Sequence, residues 1–191
     1  MATHFARGIL KDGHLLSVRR SSTSHNIARQ LPAYRRTRYL ASRALLAELL
    51  FMLYGISELP EIVTQTEGKP FFKDSQLPDF SIAYAGNIVG VALTTEGQCG
   101  LDMELLRTLR NTPQATMMEN YRFTSNENLW INNQSDPHEA RVQLIALRQS
   151  VLKMTGDVHL DSPQSLQLLP GSGRLRSATT DQLEVICDAE D

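Results

Sequence analysis

The sequence predicts an α+β protein, with α/β lobes built of mostly antiparallel strands packed on helices. Three observations predict it. Short runs of β-forming residues lie near both ends and in the middle of the chain. Two tight-turn signals, Asp12-Gly13 and Gly86-Asn87, join neighbouring runs into hairpins. Two longer stretches carry apolar residues at helical steps between recognisable caps.

In chain order, "THFARGIL" and "HLLSVRR" read as two strands around "KDG", followed by a polar stretch, "SSTSHN". From about Tyr34 to Tyr54 the pattern turns helical. Leu45, Leu49 and Met52 recur at three- and four-residue steps after Ala41, and Gly55 sits where a C-terminal cap is expected. An extended "EIVTQTE" leads to "GKPFF", and "FSIAYAG" with "NIVGVALTT" forms a strand pair. "CGLDMELL" reads as the next strand, and 107–116 as a loop. "RFTSNENLW" opens a short helix with Thr124 or Ser125 as N-cap and Glu127 in its first turn. In "DPHEARVQLIALRQSVLKMTG" Asp136 caps, Pro137 suits the first helical position, Glu139 sits where a capping box puts its acid, and Gly156 closes the helix. Three strands follow, "SLQLLP", "RLRSA" and "QLEVICDA". A division into two lobes near 98–112 is expected, written as 1–98 and 99–191.

A chain of 191 residues can bury a core of useful size. Its net charge of −2 gives no global reason to expect a nucleic-acid partner. Charge is nonetheless uneven: Arg29, Arg35, Arg36, Arg38 and Arg43 precede the first acid of the helix, Glu48, and form a local anion-binding candidate. Cys99 and Cys187 have neither CxxC partners nor zinc spacing, so a disulfide framework or structural zinc is not expected. The N-terminus lacks a signal peptide's layout, and no apolar run approaches the roughly 18 residues of a membrane span. A cytoplasmic protein with no membrane partner is the expectation. P-loop, GxSxG and paired-histidine motifs are missing, which disfavours kinases and hydrolases.

The sharpest feature is the pair of acids in "CGLDMELL". As a strand it would turn Leu101, Met103 and Leu105 to a core, and Asp102 and Glu104 together to the other side. Those carboxylates would sit about 7 Å apart at Cα. They are either a solvated edge face or the ligands of a hard divalent cation such as Mg²⁺, which takes one or two carboxylates with phosphate oxygens and water.

"RRTRYLASRALLAELL", "GKPFF", "FSIAYAGNIVGVAL", "CGLDMELL" and "RFTSNENLW", in this order over about residues 29–156, resemble the successive motifs of a 4′-phosphopantetheinyl transferase of the larger, two-lobed monomeric type. The resemblance implies a pseudo-two-fold pair of similar lobes acting as a monomer. It implies transfer of the phosphopantetheine arm of coenzyme A to a serine of an acyl or peptidyl carrier protein, with release of 3′,5′-ADP. The family's Gly-(Ile/Val)-Asp-x-Glu motif falls on residues 100–104, which implies that Asp102 and Glu104 hold Mg²⁺ against the coenzyme pyrophosphate. Arg36 or Arg38, Arg43 and Lys69 would contact the coenzyme phosphates; Arg36 and Arg43, seven apart, share one helix face. Glu127 matches the acid of the Phe-(Ser/Thr)-x-x-Glu motif, which implies a catalytic place near the metal site, orienting water or the incoming hydroxyl, with Lys153 as the other catalytic residue; the alternative is an acid favoured at a helix N-terminus.

Two departures stand out. Where the family has Trp-x-x-Lys-Glu-x-x-x-Lys, this chain has "IALRQSVLK": Ile145, Arg148 and Gln149 replace Trp, Lys and Glu, and only Lys153 is kept. Gln149, at the place of the third metal ligand, offers a carbonyl oxygen but no negative charge and no base. Lys153 remains as a cation for the phosphates. Tyr84 replaces the coenzyme-binding His of Ser-His-Ser-Gly; a phenol carries no positive charge. Strands implied after "VICDAED" are lacking, as in a shortened lobe or a truncated chain. The resemblance therefore implies either an active Mg²⁺-dependent transferase or a degenerate relative that binds coenzyme A or a carrier protein without efficient transfer.

Overall fold

The computed structural model describes residues 3–10, 22–64, 69–105, 123–155, 168–170 and 175–177. Helices pack against antiparallel sheets in a mixed α+β fold. The chain divides into two compact units, one of Met1–Met103 with Lys153–Gly156 and one of Glu104–Leu152 with Asp157–Asp191.

The first unit is built on a three-stranded antiparallel sheet in the order β1-β5-β4. Strand β1 spans Thr3–Ile9, β4 Asp79–Ala85 and β5 Ile88–Thr94. β4 and β5 form the expected hairpin: Ala85 pairs with Ile88, and the turn opens at Gly86 with φ 58°, a left-handed value that glycine adopts without strain. β1 pairs with β5, with Ala6 opposite Val91. Its expected partner, "HLLSVRR", lies outside the described residues.

Helix α2 (Ala33–Tyr54) covers one face of this sheet. Pro32 precedes its first turn, and Gly55 ends it with φ 68° and an N–H donated to the Phe51 carbonyl. Leu46, Leu49 and Leu50 meet Phe80, Val91 and Leu93 in the core, joined by Leu59 and Phe72. Each large apolar side chain buried there contributes about 1.5–3 kcal/mol. Met52, read as part of the helical stripe, is 77% exposed, because the buried stripe runs through Leu46 and Leu50 instead. The polar stretch after β1 is helical as well. Helix α1 (Ser22–Arg29) has one buried apolar residue at its end, Ala28, and Arg36 of α2 donates to the carbonyls of Ala28 and Leu31. Strands β2 (Ile62–Val63) and β3 (Phe71–Phe72) pair antiparallel, and the Phe72 ring meets Phe80 with centroids 4.7 Å apart.

In the second unit, helix α3 (Ser125–Asn132) and most of helix α4 (Pro137–Thr155) enclose Ile131, Ala140, Leu144 and Leu147. The Asp136 carboxylate accepts the first N–H groups of α4, from His138 and Glu139. Strands β6 (Leu168–Pro170) and β7 (Leu175–Ser177) pair antiparallel, as expected for "SLQLLP" and "RLRSA". Gly156 and the expected strand "QLEVICDA" lie outside the described residues.

One element is corrected. Residues 99–105 are not a strand. The reason lies in where their backbone groups find partners: side chains take the place of a ladder.

Candidate functional site

Strand β4 organises the site. Along it, Phe80, Ile82 and Tyr84 face α2, whereas Asp79 and Ser81 face the opposite side of the sheet. The 99–103 segment lies on that opposite side. The N–H of Cys99 donates to Asp79 Oδ2 at 2.8 Å, and the N–H of Leu101 to Ser81 Oγ at 3.0 Å. Lys69 Nζ pairs with Asp79 and donates to the Cys99 carbonyl at 2.8 Å. Gly90 of β5 leaves room for this arrangement. A Cβ there would stand 2.9 Å from Met103 Sδ and 3.1 Å from Leu101 Cδ2. The alternation expected of a strand therefore survives in part, since Leu101 and Met103 do lie on the sheet.

Asp102 is consequently not aimed at open solvent. Its side chain is 11% exposed; Oδ1 lies 3.3 Å from Lys153 Nζ, and Oδ2 is buried without a hydrogen-bond partner. Lys153 Nζ also donates to the Leu101 carbonyl at 3.1 Å and the Ile82 carbonyl at 3.5 Å. One lysine thus joins β4, the 99–103 segment and the carboxylate. A buried carboxylate oxygen with an open lone pair is costly unless a cation or donor completes it. Glu104, two residues on, is exposed.

The donor set fits a hard cation of low protein demand. Among the described residues, no group of three or more His, Cys, Asp or Glu side chains comes together. Asp102, with Glu104 beside it in the chain, suits Mg²⁺, which completes its shell with water and phosphate oxygens.

The arginines of α2 divide by role. Arg38 donates to the Gly86 carbonyl at 3.2 Å and lies over the Tyr84 ring, 5.6 Å from its centroid, on the α2 face of the sheet. Arg43 is only 8% exposed; it lies 4.2 Å over the Tyr39 ring and donates to Ser42 Oγ, while its Nε is buried without a partner. Arg36 binds α1, as above. The structure therefore brings Asp102 and Lys153 together, and separately Arg38 and Tyr84. It engages Lys69 with Asp79.

Glu127 and Gln149 belong to the second unit. Glu127 is 1% exposed and receives Arg148 Nη2 on both oxygens, at 2.8 and 2.9 Å. It also closes a capping box with Thr124, accepting that residue's N–H at 2.8 Å. Gln149 lies half-buried on α4, one turn before Lys153.

Two residues escaped the sequence reading, Asp79 and Ser81. Their only signal is a pair of polar residues two apart in an otherwise apolar strand. Cys99, which Asp79 holds, is 8% exposed; burial, foremost, pushes its thiol up to about 12. The nearby Lys69 opposes that rise and the Asp79 carboxylate adds to it.

Over its whole 191 residues the chain is 63% identical to the uncharacterized protein YieE of Escherichia coli (strain K12), of which it spans 77%. It is 38% identical over 77 residues to the 4′-phosphopantetheinyl transferase AcpT of the same strain, covering 40% of this chain and 36% of that protein. For AcpT of Salmonella typhi the identity is 34% over 85 residues, covering 44% and 41%. No family model matches the chain.

Proposed function

The chain belongs to the family of E. coli YieE, which is related to the 4′-phosphopantetheinyl transferases, and on that premise we propose that it moves 4′-phosphopantetheine from coenzyme A to a serine of an acyl or peptidyl carrier protein. In this reading the serine oxygen forms a bond to the pantetheine-bearing phosphorus as the bond to 3′,5′-ADP breaks, and the serine proton leaves to solvent. Asp102 and Glu104, with Gln149 as a neutral third donor, would hold a Mg²⁺ ion, which when bound would supply charge neutralisation at the pyrophosphate. Lys153 adds a fixed cation beside Asp102. Arg38 and Arg43 supply the basic contacts for the coenzyme phosphates, with Tyr84 a neutral hydrogen-bonding group. β4 is one of the two edge strands of the described sheet, so a ligand lying along it would meet groups from both faces. Arg36 and Glu127 serve to hold α1 and α3 in place. The protein works as a two-lobed, pseudo-symmetric monomer in the cytoplasm. Among the described residues, no helix is long and apolar enough to cross a membrane.

The observation that carries this reading is the buried, unpartnered oxygen of Asp102 beside Lys153. The test is incubation with coenzyme A, Mg²⁺ and an apo carrier protein, followed by mass spectrometry of the carrier. A gain of one phosphopantetheine, lost in Asp102→Ala, is the expected result. No gain across a panel of carriers, with no thermal shift from coenzyme A or 3′,5′-ADP, refutes it.

A second reading is favoured by Gln149 and by the want of a three-ligand cluster among the described residues. It is a relative that binds coenzyme A or a carrier protein and transfers poorly. Thermal stabilisation by coenzyme A without transfer distinguishes it.

A further inference from the structure

Backbone partners for the 99–103 segment come from alternate side chains of one strand. Cys99 is matched to Asp79 and Leu101 to Ser81, so the step of two on the segment copies the step of two on β4. Ser81 and Asp79 are themselves held: Ser81 is 3% exposed, and Asp79 is fixed by Lys69, whose ammonium also takes the Cys99 carbonyl. Asp102 is the next residue after Leu101. Its backbone cannot shift without breaking the Leu101 N–H bond below it or the Lys153 bond to the Leu101 carbonyl.

We propose that Asp79, Ser81 and Lys69 are positioning residues that fix Asp102 against Lys153, and that Lys69 acts through Asp79 and Cys99 rather than on a coenzyme phosphate. Three features argue for positioning rather than general stability. First, among the described residues the backbone groups that the side chains of Asp79, Ser81 and Lys69 bond all lie on the segment that carries the acid. Second, the Lys69–Asp79 pair is nearly enclosed, with side chains 12% and 17% exposed, so its ammonium is engaged before any ligand arrives. Third, β5 carries a glycine, Gly90, where this segment lies on it, and a Cβ there would stand 2.9 Å from Met103 Sδ. Holding a charged group at a set geometry is how a site avoids reorganising during reaction. The assignment of a substrate to Asp102 rests on the transferase reading above; the tether itself does not.

The experiment uses the full chain and the variants Ser81→Ala and Asp79→Asn. Two readouts need no ligand: amide hydrogen exchange at Leu101 and Cys99, and the ¹³Cγ resonance of Asp102, which reports its contact with Lys153. A third is Mg²⁺ affinity by calorimetry in the presence of coenzyme A. Ser81→Ala should speed Leu101 exchange by up to about tenfold, the worth of one hydrogen bond. It should move the Asp102 resonance and weaken Mg²⁺ binding by a similar factor, while amides of Val91 and Leu93 keep their protection. Asp79→Asn keeps an oxygen for the Cys99 N–H but loses the charge that strengthens that bond and pairs with Lys69, so Leu101 should stay protected and Cys99 should exchange faster. Unchanged exchange in both variants overturns the tether. Faster exchange with an unmoved Asp102 resonance overturns the positioning role. A wild-type protein that binds neither Mg²⁺ nor coenzyme A defeats the transferase reading, and the tether is then decided by exchange and the Asp102 resonance alone.

Discussion

Replacing Arg148 by Met should cost far more stability than a surface cation would. Its guanidinium Nη2 places two charge-assisted bonds on a carboxylate that is 1% exposed. Removing it leaves Glu127 buried and ionised, with the Thr124 N–H as a remaining donor. Breaking a buried pair from one side costs about 3–5 kcal/mol; the surviving cap bond places the expected loss near the lower end, about 3 kcal/mol. Substituting both partners, Arg148→Met with Glu127→Gln, removes the stranded charge and should return about 2 kcal/mol of that loss. Arg148→Lys keeps the charge but not the planar fork, so it should cost less than Met. Urea unfolding of these three variants and of Glu127→Gln alone, each in the full chain and followed by two probes to check for a single transition, measures all four. A loss below about 1 kcal/mol for Arg148→Met, or strict additivity in the double variant, would refute the reasoning. This experiment also bears on mechanism. If Glu127→Gln lowers transfer only in proportion to the folded fraction, the acid serves the helix pair and not the chemistry.

Gly90→Ala sets a steric cost of about 1–3 kcal/mol against up to about 1 kcal/mol gained from a stiffer unfolded chain, for a net loss of about 1–2 kcal/mol by chemical denaturation. Gln149→Glu should tighten Mg²⁺ binding in calorimetry and raise or create transfer activity; unchanged affinity would place residue 149 outside the metal shell. Cys99, with its thiol pushed up to about 12 from 9.0, should resist alkylation in the native protein near pH 8 and react once unfolded. Because the folded state keeps that proton longer, its stabilising contribution is complete below pH 9, declines between about 9 and 12, and is gone above that range; denaturation midpoints measured across it test the sign.

Much of the fold was legible wherever local chemistry and tertiary need agree. Asp136 and Pro137 announce α4, Thr124 and Glu127 announce α3, and Gly86 announces the β4–β5 turn, because each residue satisfies a backbone demand that its neighbours create. Helix α1 was not legible, since its eight residues are mostly polar and offer only Ile27 and Ala28 to mark an apolar face; Arg36 of the next helix anchors its end. The 99–105 segment has a strand's alternation without a strand's pairing. Periodicity reports which side chains turn inward, and Leu101 and Met103 do, but it is blind to whether the N–H groups meet a carbonyl or a hydroxyl. Motif order points to Asp102 but not to Asp79 or Ser81, because nothing local distinguishes a polar strand residue that accepts a distant amide from one that faces water. Arg36 and Lys69 have internal partners for which the same holds: charge is visible in a sequence, and its partner is not.

A hydrogen-bonded ladder between two strands is indifferent to side-chain identity, so its geometry changes little as a lineage drifts. A loop moored by one hydroxyl, one carboxylate and one ammonium is different. Each mooring can be lengthened, weakened or moved by a single codon, and the acid it carries shifts by a fraction of an ångström while the sheet beneath stays whole. Such a mooring would give selection a fine adjustment over where the acid sits, without any change of architecture.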